Sequence, residues 1–452
     1  MNIFKLLTYD VREHNRGQDV NLVNKWPSFY WSLFRKYRRL LRVDVISSII
    51  KNICYPFYNQ SPQLKSVTFI SISDNNNRAL SPIWEKLDNE SYTIINPENQ
   101  ELYVPSNLVL FYSLIYVWPV IKCYITADTL YKTIIRENFD DFFDTIGFIF
   151  VINRLLSHSN IKLMVFANDH VALTRAFIRV SRQLGIKTMY VQHCSVGRNF
   201  PPLEFSYNFL DGEESLIKYM TFQKPLGKVY LSGNSRFDVC KEYLKKVGQK
   251  QEDETKNIAI GIASNALDNE DSIKKICKEL IEYGYTDITI RPHPGIPFDP
   301  SWYIYHGVKY SDSNQENPFA FISKMDYVLA GECGIHLDVM MMRKRAIYFN
   351  THETPPKDVY EFIKNGIVRY ADTIKTLIDI LQSPCEEEQC VKFRERAQWY
   401  NAAWGTPHEG HIGEIMADFI RYEQKEDIKG FDEKYGFVEK CINDNRVKVY
   451  NY

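Results

Sequence analysis

The sequence predicts an α/β protein of two halves, each a parallel sheet covered by helices, with a cleft between them. Two observations carry this reading. Short apolar runs of strand length alternate with helical periodicities from Phe139 onward, and sequential strands separated by helices must lie parallel with both faces covered. A charged, polar stretch from Lys245 to Lys256 interrupts the pattern, and a cleft between domains is where ligand pockets prefer to lie. The expected division is therefore 1–244, a linker at 245–256, a second α/β domain at 257–405 and a helical tail at 406–452.

The elements follow in order. Helical periodicity runs around Ser28 to Ile50, then a strand at Val67 to Ile72 and a polar stretch from Ser73 to Arg78. Phe142 to Leu156 reads as a helix, Ile161 to Phe166 as a strand, Val171 to Leu184 as a helix closed by Gly185, and Lys187 to Gln192 as the next strand. Short strands follow at Phe205 to Leu210 and Lys228 to Leu231. Beyond the linker, strands at Ile258 to Ile262, Asp287 to Arg291, Tyr327 to Ala330 and Ala346 to Phe349 alternate with helices at Asp271 to Tyr283, Pro318 to Lys324 and Ile335 to Met342. His408 to Glu423 has the period of a late amphipathic helix.

Bulk composition bounds the function. Across 452 residues, 55 lysines and arginines nearly balance 56 aspartates and glutamates, so no global field attracts nucleic acid and any anion site must be local. Nine scattered cysteines, none in a Cys-x-x-Cys pair, suggest neither a disulfide framework nor a zinc site, and a reducing cytoplasm fits them. The apolar start at Met1 to Leu7 is too short for a signal peptide. Asn107 to Ile121 is apolar but short of the ~20 residues of a spanning helix, so it reads as buried core ahead of an interfacial segment. Arg35 to Arg42 interleaves cations with aromatic and aliphatic residues, which suits a helix on anionic lipid or a solvated helix face equally.

Candidate chemistry gathers at strand ends. Arg291-Pro292-His293-Pro294-Gly295 places a guanidinium fork beside an imidazole, both stiffly presented by prolines, as a phosphate site requires. Gly331-Glu332-Cys333-Gly334-Ile335-His336 follows a strand and opens a helix, offering free amides to a phosphate, while Glu332 and Asp338 suit ribose hydroxyls. Gly233, Asn234 and Ser235 allow close backbone approach to a ligand. His193 ranks first as general base because imidazole titrates near neutrality. Asp169, which with His170 ends the preceding strand, orients His193 or acts as base itself, and Asp211 in Asp211-Gly212-Glu213-Glu214 is held in reserve. Each motif also has a plainer reading, as a surface turn, a tight strand-to-helix turn or a structural histidine. No Gly-x-Ser-x-Gly, Walker or dinucleotide fingerprint occurs, and metal ligands are not clustered, so neither a cofactor nor a metal is expected.

The order Gln192-His193, Gly233 to Asp238, Arg291 to Pro294 and Gly331 to Gly334 resembles bacterial surface-polysaccharide glycosyltransferases of the GT-B fold, over roughly Ile161 to Phe349. That group includes transferases of CMP-activated acidic sugars and CDP-glycerol glycerophosphotransferases. The resemblance implies two Rossmann-like domains and inverting, metal-independent transfer from a nucleotide-sugar, CMP-linked first. The acceptor would be a glycan or glycolipid of capsule or lipopolysaccharide, met on the inner face of the membrane. It implies that His293 holds the donor phosphate, that Glu332 to His336 line the nucleotide, and that His193 or Asp211 deprotonates the acceptor. A UDP-sugar 2-epimerase would want Ser-Gly-Gly in place of Glu332-Cys333-Gly334, and a non-catalytic nucleotide or glycan sensor is the remaining alternative.

Overall fold

A computed structural model describes residues 29–54, 64–95, 104–197, 200–221, 223–247, 257–265, 268–294, 298–351, 355–383 and 387–451. The chain's amino-terminal start, Gly295 and linker positions 248–256 lie outside these residues, and linker positions 245–247 end the helix Cys240–Val247.

Six strands arise in the first half: β1 (Val67–Ile70), β2 (Tyr92–Ile95), β3 (Leu163–Phe166), β4 (Lys187–Val191), β5 (Tyr207–Leu210) and β6 (Lys228–Leu231). Six more follow: β7 (Ile260–Ser264), β8 (Ile288–Pro292), β9 (Lys309–Tyr310), β10 (Tyr327–Ala330), β11 (Arg345–Phe349) and β12 (Arg369–Ala371). The chain then adds β13 (Phe437–Ile442) and β14 (Asn445–Tyr450). One sheet has the order β13-β14-β6-β5-β4-β3-β1-β2 and the other β12-β11-β10-β7-β8-β9. Every pairing is parallel except the β13–β14 hairpin. The predicted pair of Rossmann-like halves is therefore present.

Continuous burial explains the strand sequences. β1, β3 and β10 are buried at every residue, so they read as unbroken apolar runs rather than alternating ones, as central parallel strands do. Predicted boundaries agree within a few residues for most elements after Phe139, including Phe139–Leu156, Ala172–Gln183 and Tyr327–Ala330.

Three segments differ from expectation. The polar run after Ser73 is a helix start: Ser73 accepts a hydrogen bond from Asn76 N and caps Asp74–Trp84. The apolar run at 107–121 divides into helices Ser106–Ile115 and Trp118–Thr126, bent by 59°. The first of these is core, packed against Phe139–Leu156 so closely that a Cβ on Gly147 would lie 2.1 Å from Val109 O. Among the described residues no single helix is long and apolar enough to cross a membrane.

The third difference is the carboxyl-terminal segment, predicted as a helical tail. Helices Ile412–Gln424 and Ile428–Tyr435 are there, but β13 and β14 follow and pair with β6 of the first sheet. Asn443 and Asp444 have φ of 47° and 58°, the left-handed pair that a two-residue hairpin loop demands. Helix Ile412–Gln424 packs on Asp74–Trp84, and a Cβ on Gly413 would meet Pro82 O at 2.4 Å. Residues 412–450 thus complete the first domain.

Candidate functional site

The carboxyl ends of β3 to β6 bring the predicted polar residues together. After β3, Asn168 Oδ1 accepts from His170 N, Val171 N and Thr174 Oγ1, which turns the chain into helix Ala172–Gln183 and presents Asp169 and His170. Asp169 is fully buried, with Oδ1 2.9 Å from His170 Nδ1 and Oδ2 accepting the Tyr219 hydroxyl at 2.5 Å. Tyr219 in turn meets the Tyr190 hydroxyl at 3.0 Å. Burial alone would raise the Asp169 carboxyl, but the His170 hydrogen bond, the nearby imidazole charge and the Tyr219 hydroxyl outweigh it and hold it below its ordinary value. His170 itself is 41% exposed at its side chain, edge-on to Phe200. A buried carboxylate gripping one nitrogen of a solvent-facing imidazole is the arrangement that fixes a general base.

Asp169 was expected to orient His193; it orients His170 instead. His193 is 7% exposed, with Nε2 3.4 Å from Cys194 Sγ and no hydrogen-bond partner at Nδ1. Burial lowers its pKa to about 4, which leaves it neutral and a weak proton acceptor at neutrality. Its ring stacks 5.9 Å from that of His170.

Asp211, at the end of β5, is buried with Oδ1 bound by Asn234 Nδ2 at 2.8 Å and no partner at Oδ2. Burial pushes its carboxyl up to about 7, against the opposing charge of Arg236 and the Asn234 bond. Gln192 Oε1 accepts Asp211 N at 3.0 Å, and Asn234 Nδ2 also reaches Gln192 O at 2.6 Å, so three strand ends are knitted together. Ser235 Oγ donates to Ala79 O, and Gly233, at φ 79°, leaves no room for a Cβ beside Ala403. Gly233, Asn234 and Ser235 were expected at the donor; their polar groups are engaged inside the first domain and hold its strand ends.

The second domain also revises the reading. Arg291 is 6% exposed, with Nη1 on Ser311 Oγ at 2.9 Å and Nη2 on Glu316 O at 2.7 Å, so its fork is filled by its own domain. His293, the next side chain but one, is exposed at the end of β8. Glu332 accepts Val359 N at 3.0 Å and the Tyr348 hydroxyl at 3.3 Å rather than standing open to a ribose. His336 is buried beside Tyr348 and Phe362 with Nε2 3.0 Å from Gly331 O, and burial lowers its pKa to about 4; it is structural. Cys333, Gly334 and Ile335 remain partly exposed on the turn after β10.

That turn faces the first domain. A Cβ on Gly334 would lie 3.8 Å from Ser195 Oγ, Lys218 Nζ reaches Val359 O at 3.4 Å, and Arg236 Nη2 lies 3.0 Å from Asp338 Oδ1. Burial raises the Asp338 carboxyl, against the opposing charges of Arg236, Arg78 and Arg291, and Arg236 is the guanidinium that pairs with it where the domains meet. Cys194 and Cys333 are pushed by burial to about 12 and about 11, which makes both inert as nucleophiles. Beside this contact a cavity of about 430 Å³ is bounded by Arg78, Lys86, Arg236, Asp238, Asn317 and His411. Its lining does not include Asp169, His170 or Asp211. Among the described residues no group of three His, Cys, Asp or Glu could hold a metal.

Sequence reasoning passed over His170, Tyr219, Arg78 and Arg236 as site residues. His170 adjoins Asp169, and Arg236 lies inside the glycine-led stretch already noted, so both had a signal; Tyr219, near the end of helix Glu213–Met220, and Arg78, inside Asp74–Trp84, had none.

No protein-family model matches the chain, and no curated protein sequence matches it at significance. Solved structures share its arrangement at low identity. UDP-GlcNAc 2-epimerase from Neisseria meningitidis, bound to UDP-GlcNAc, is 13% identical over 80% of this chain and 99% of its own, with a TM-score of 0.49. The Methanocaldococcus jannaschii UDP-GlcNAc 2-epimerase is 15% identical over 79% and 99%, at 0.48. The wall teichoic acid polymerase TagF is 13% identical over 89% and 100%, at 0.48.

Proposed function

We propose that the protein is a glycosyltransferase that moves a sugar from a nucleotide-activated donor to a hydroxyl of a growing cell-surface glycan. The observation that carries this is the Asp169–His170 pair at the end of β3, on the face of the first domain that the β10 turn opposes. The second nitrogen of His170 takes the proton of the acceptor hydroxyl as that oxygen attacks the anomeric carbon. The bond from that carbon to the phosphate oxygen breaks, its electron pair leaves on the nucleotide, and attack from the opposite side inverts the centre. Asp169 fixes the tautomer and stabilises the imidazolium that forms. His293 at the end of β8 and the Cys333 to Ile335 turn supply the donor side, with His293 neutralising charge on the departing phosphate.

A CMP-linked acidic sugar is the first donor to try; a CDP-polyol is the alternative, in which the acceptor oxygen would attack the polyol-bearing phosphorus and CMP would leave, and the cytoplasmic face of the membrane is where such donors and a lipid-linked acceptor meet. The test pairs two readouts. CMP, CDP, UDP and GDP are screened for stabilisation of the purified protein, and labelled donors are screened for transfer. Selective stabilisation by one nucleotide that is lost in His293→Ala, with transfer lost but stabilisation kept in His170→Ala, is expected. No stabilisation and no transfer with any donor would overturn the proposal, and stabilisation without transfer would assign a sensor instead.

A further inference from the structure

The helices Phe29–Leu40 and Val43–Cys54 carry a surface that the transferase reading does not use. Val43, Ile46, Ile50 and Ile53 are 83%, 39%, 55% and 42% exposed, and Leu41 just before them is 74% exposed. On an α-helix these four positions fall within an arc of about 80°. The buried side chains of the same helix, Val45 and Ile49, occupy the neighbouring arc, and Asp44, Ser47 and Ser48 the far one. A helix docked by one edge has thus left a second aliphatic edge in water.

The charge carried by the two helices is mostly of one sign. Residues 29–54 contain six basic side chains and one acidic one. Lys36 anchors the first helix through Asp140 and Asp144, at 3.0 and 3.2 Å, while Arg35, Arg38, Arg39 and Arg42 are exposed. Arg42 lies 3.0 Å from Asp44, the single acid. Both helices pack on Ser106–Ile115, whose last residue Ile115 is 53% exposed, and the next helix, Trp118–Thr126, exposes Trp118 and Ile125 at 64% and 61%.

We infer that this face docks on an anionic phospholipid surface. Aliphatic side chains and a tryptophan enter the headgroup boundary, and the arginines meet lipid phosphates. A protein partner would need acidic residues in register with the arginines, whereas an anionic bilayer offers unpatterned negative charge over an apolar layer, which suits an aliphatic edge on one helix and exposed arginines on the helix and turn before it. The inference stands apart from the transferase reading and survives its failure.

The test is flotation of the full chain with vesicles of phosphatidylcholine alone and with added phosphatidylglycerol, at low and high salt. The protein is expected to float with anionic vesicles at low salt and less at high salt. The double variant Arg35→Gln, Arg38→Gln should lower the partition about 30-fold. The double variant Ile46→Ser, Ile50→Ser should abolish flotation while the protein, read in parallel by its melting temperature, stays folded, since neither side chain is buried. Equal behaviour with neutral and anionic vesicles, or flotation unchanged in the arginine variant, overturns the inference. So does a dimer that the isoleucine variant converts to a monomer without any vesicle binding, because the face would then belong to a second copy.

Discussion

Replacing Asp211 by Asn tests whether burial outweighs charge pairing at the end of β5. The carboxyl titrates at about 7 in the folded protein against an ordinary 3.8. Between those values each pH unit is worth ~1.4 kcal/mol, so the ionised side chain costs the native state about 4 kcal/mol above pH 7. A carboxyl with a raised folded pKa contributes stability that is fully present below its unfolded value and is lost as pH rises through the folded one. Asn keeps the bond from Asn234 through its own carbonyl and carries no charge, but its amide replaces an oxygen that has no partner, at a cost of ~1–3 kcal/mol. The variant should therefore be about 1–3 kcal/mol more stable than the parent at pH 8. At pH 5 the parent recovers roughly 2.5 kcal/mol by protonation and the advantage shrinks by that amount. Urea denaturation of both proteins at the two pH values measures it, and the amide's cost cancels in the comparison between pH values. An unchanged difference between pH 8 and pH 5 would refute the reasoning and mean that the Arg236 charge prevails over burial.

Other outcomes follow from the strand-end residues and from the packing beneath them. His170→Ala should lower turnover about 10²- to 10⁴-fold with the fold retained by circular dichroism, the range for loss of a general base. Tyr219→Phe removes the hydroxyl from Asp169 Oδ2; a loss of ~1.5–3 kcal/mol in denaturation is expected, and the acid limb of the pH–rate profile should move to higher pH. His193 titrates at about 4, below its ordinary 6.5, so its contribution is present above the ordinary value and lost as pH falls towards 4. His193→Gln should therefore spare the protein about 2 kcal/mol of the stability lost between pH 7.5 and 5, measured by urea titration. Gly147→Ala forces a methyl group against Val109 O and should cost ~1–3 kcal/mol or more, seen as a lower melting temperature.

What could be read from residues alone was what local patterning encodes. β3, β4, β6 and β10 are short apolar runs between polar boundaries, and both faces of each are covered, so no choice of face blurred the pattern. Helix Asp74–Trp84 was missed because Ser73-Asp74-Asn75-Asn76-Asn77 looks like a loop, although its first residue is the cap. β13 escaped because its middle, Val438 to Cys441, is exposed and mixes charges with apolar residues. The Asn443-Asp444 loop was a usable sign of that hairpin. At the site, strand ends predicted which residues would gather but not which side chains would be consumed. Arg291 looks like a phosphate fork until Ser311 and Glu316 are seen to fill it, and nothing nearer than twenty residues along the chain announces Ser311. His170 was overlooked in favour of His193 because burial, which weakens the latter as a base, is a property of the assembled sheet.

The return of the chain to its first sheet has a consequence for biosynthesis. β6 pairs with β5 on one side and with β14 on the other, and β14 is made only after the whole second domain. While the ribosome adds the intervening two hundred or so residues, the nascent first domain carries a bare strand edge, a template for pairing with other chains. The second sheet has no such debt, since β7 to β12 are contiguous in the sequence. The domain translated later can thus finish first, and a chain stalled before Asn445 would display a complete second domain tethered to a first domain with an open flank.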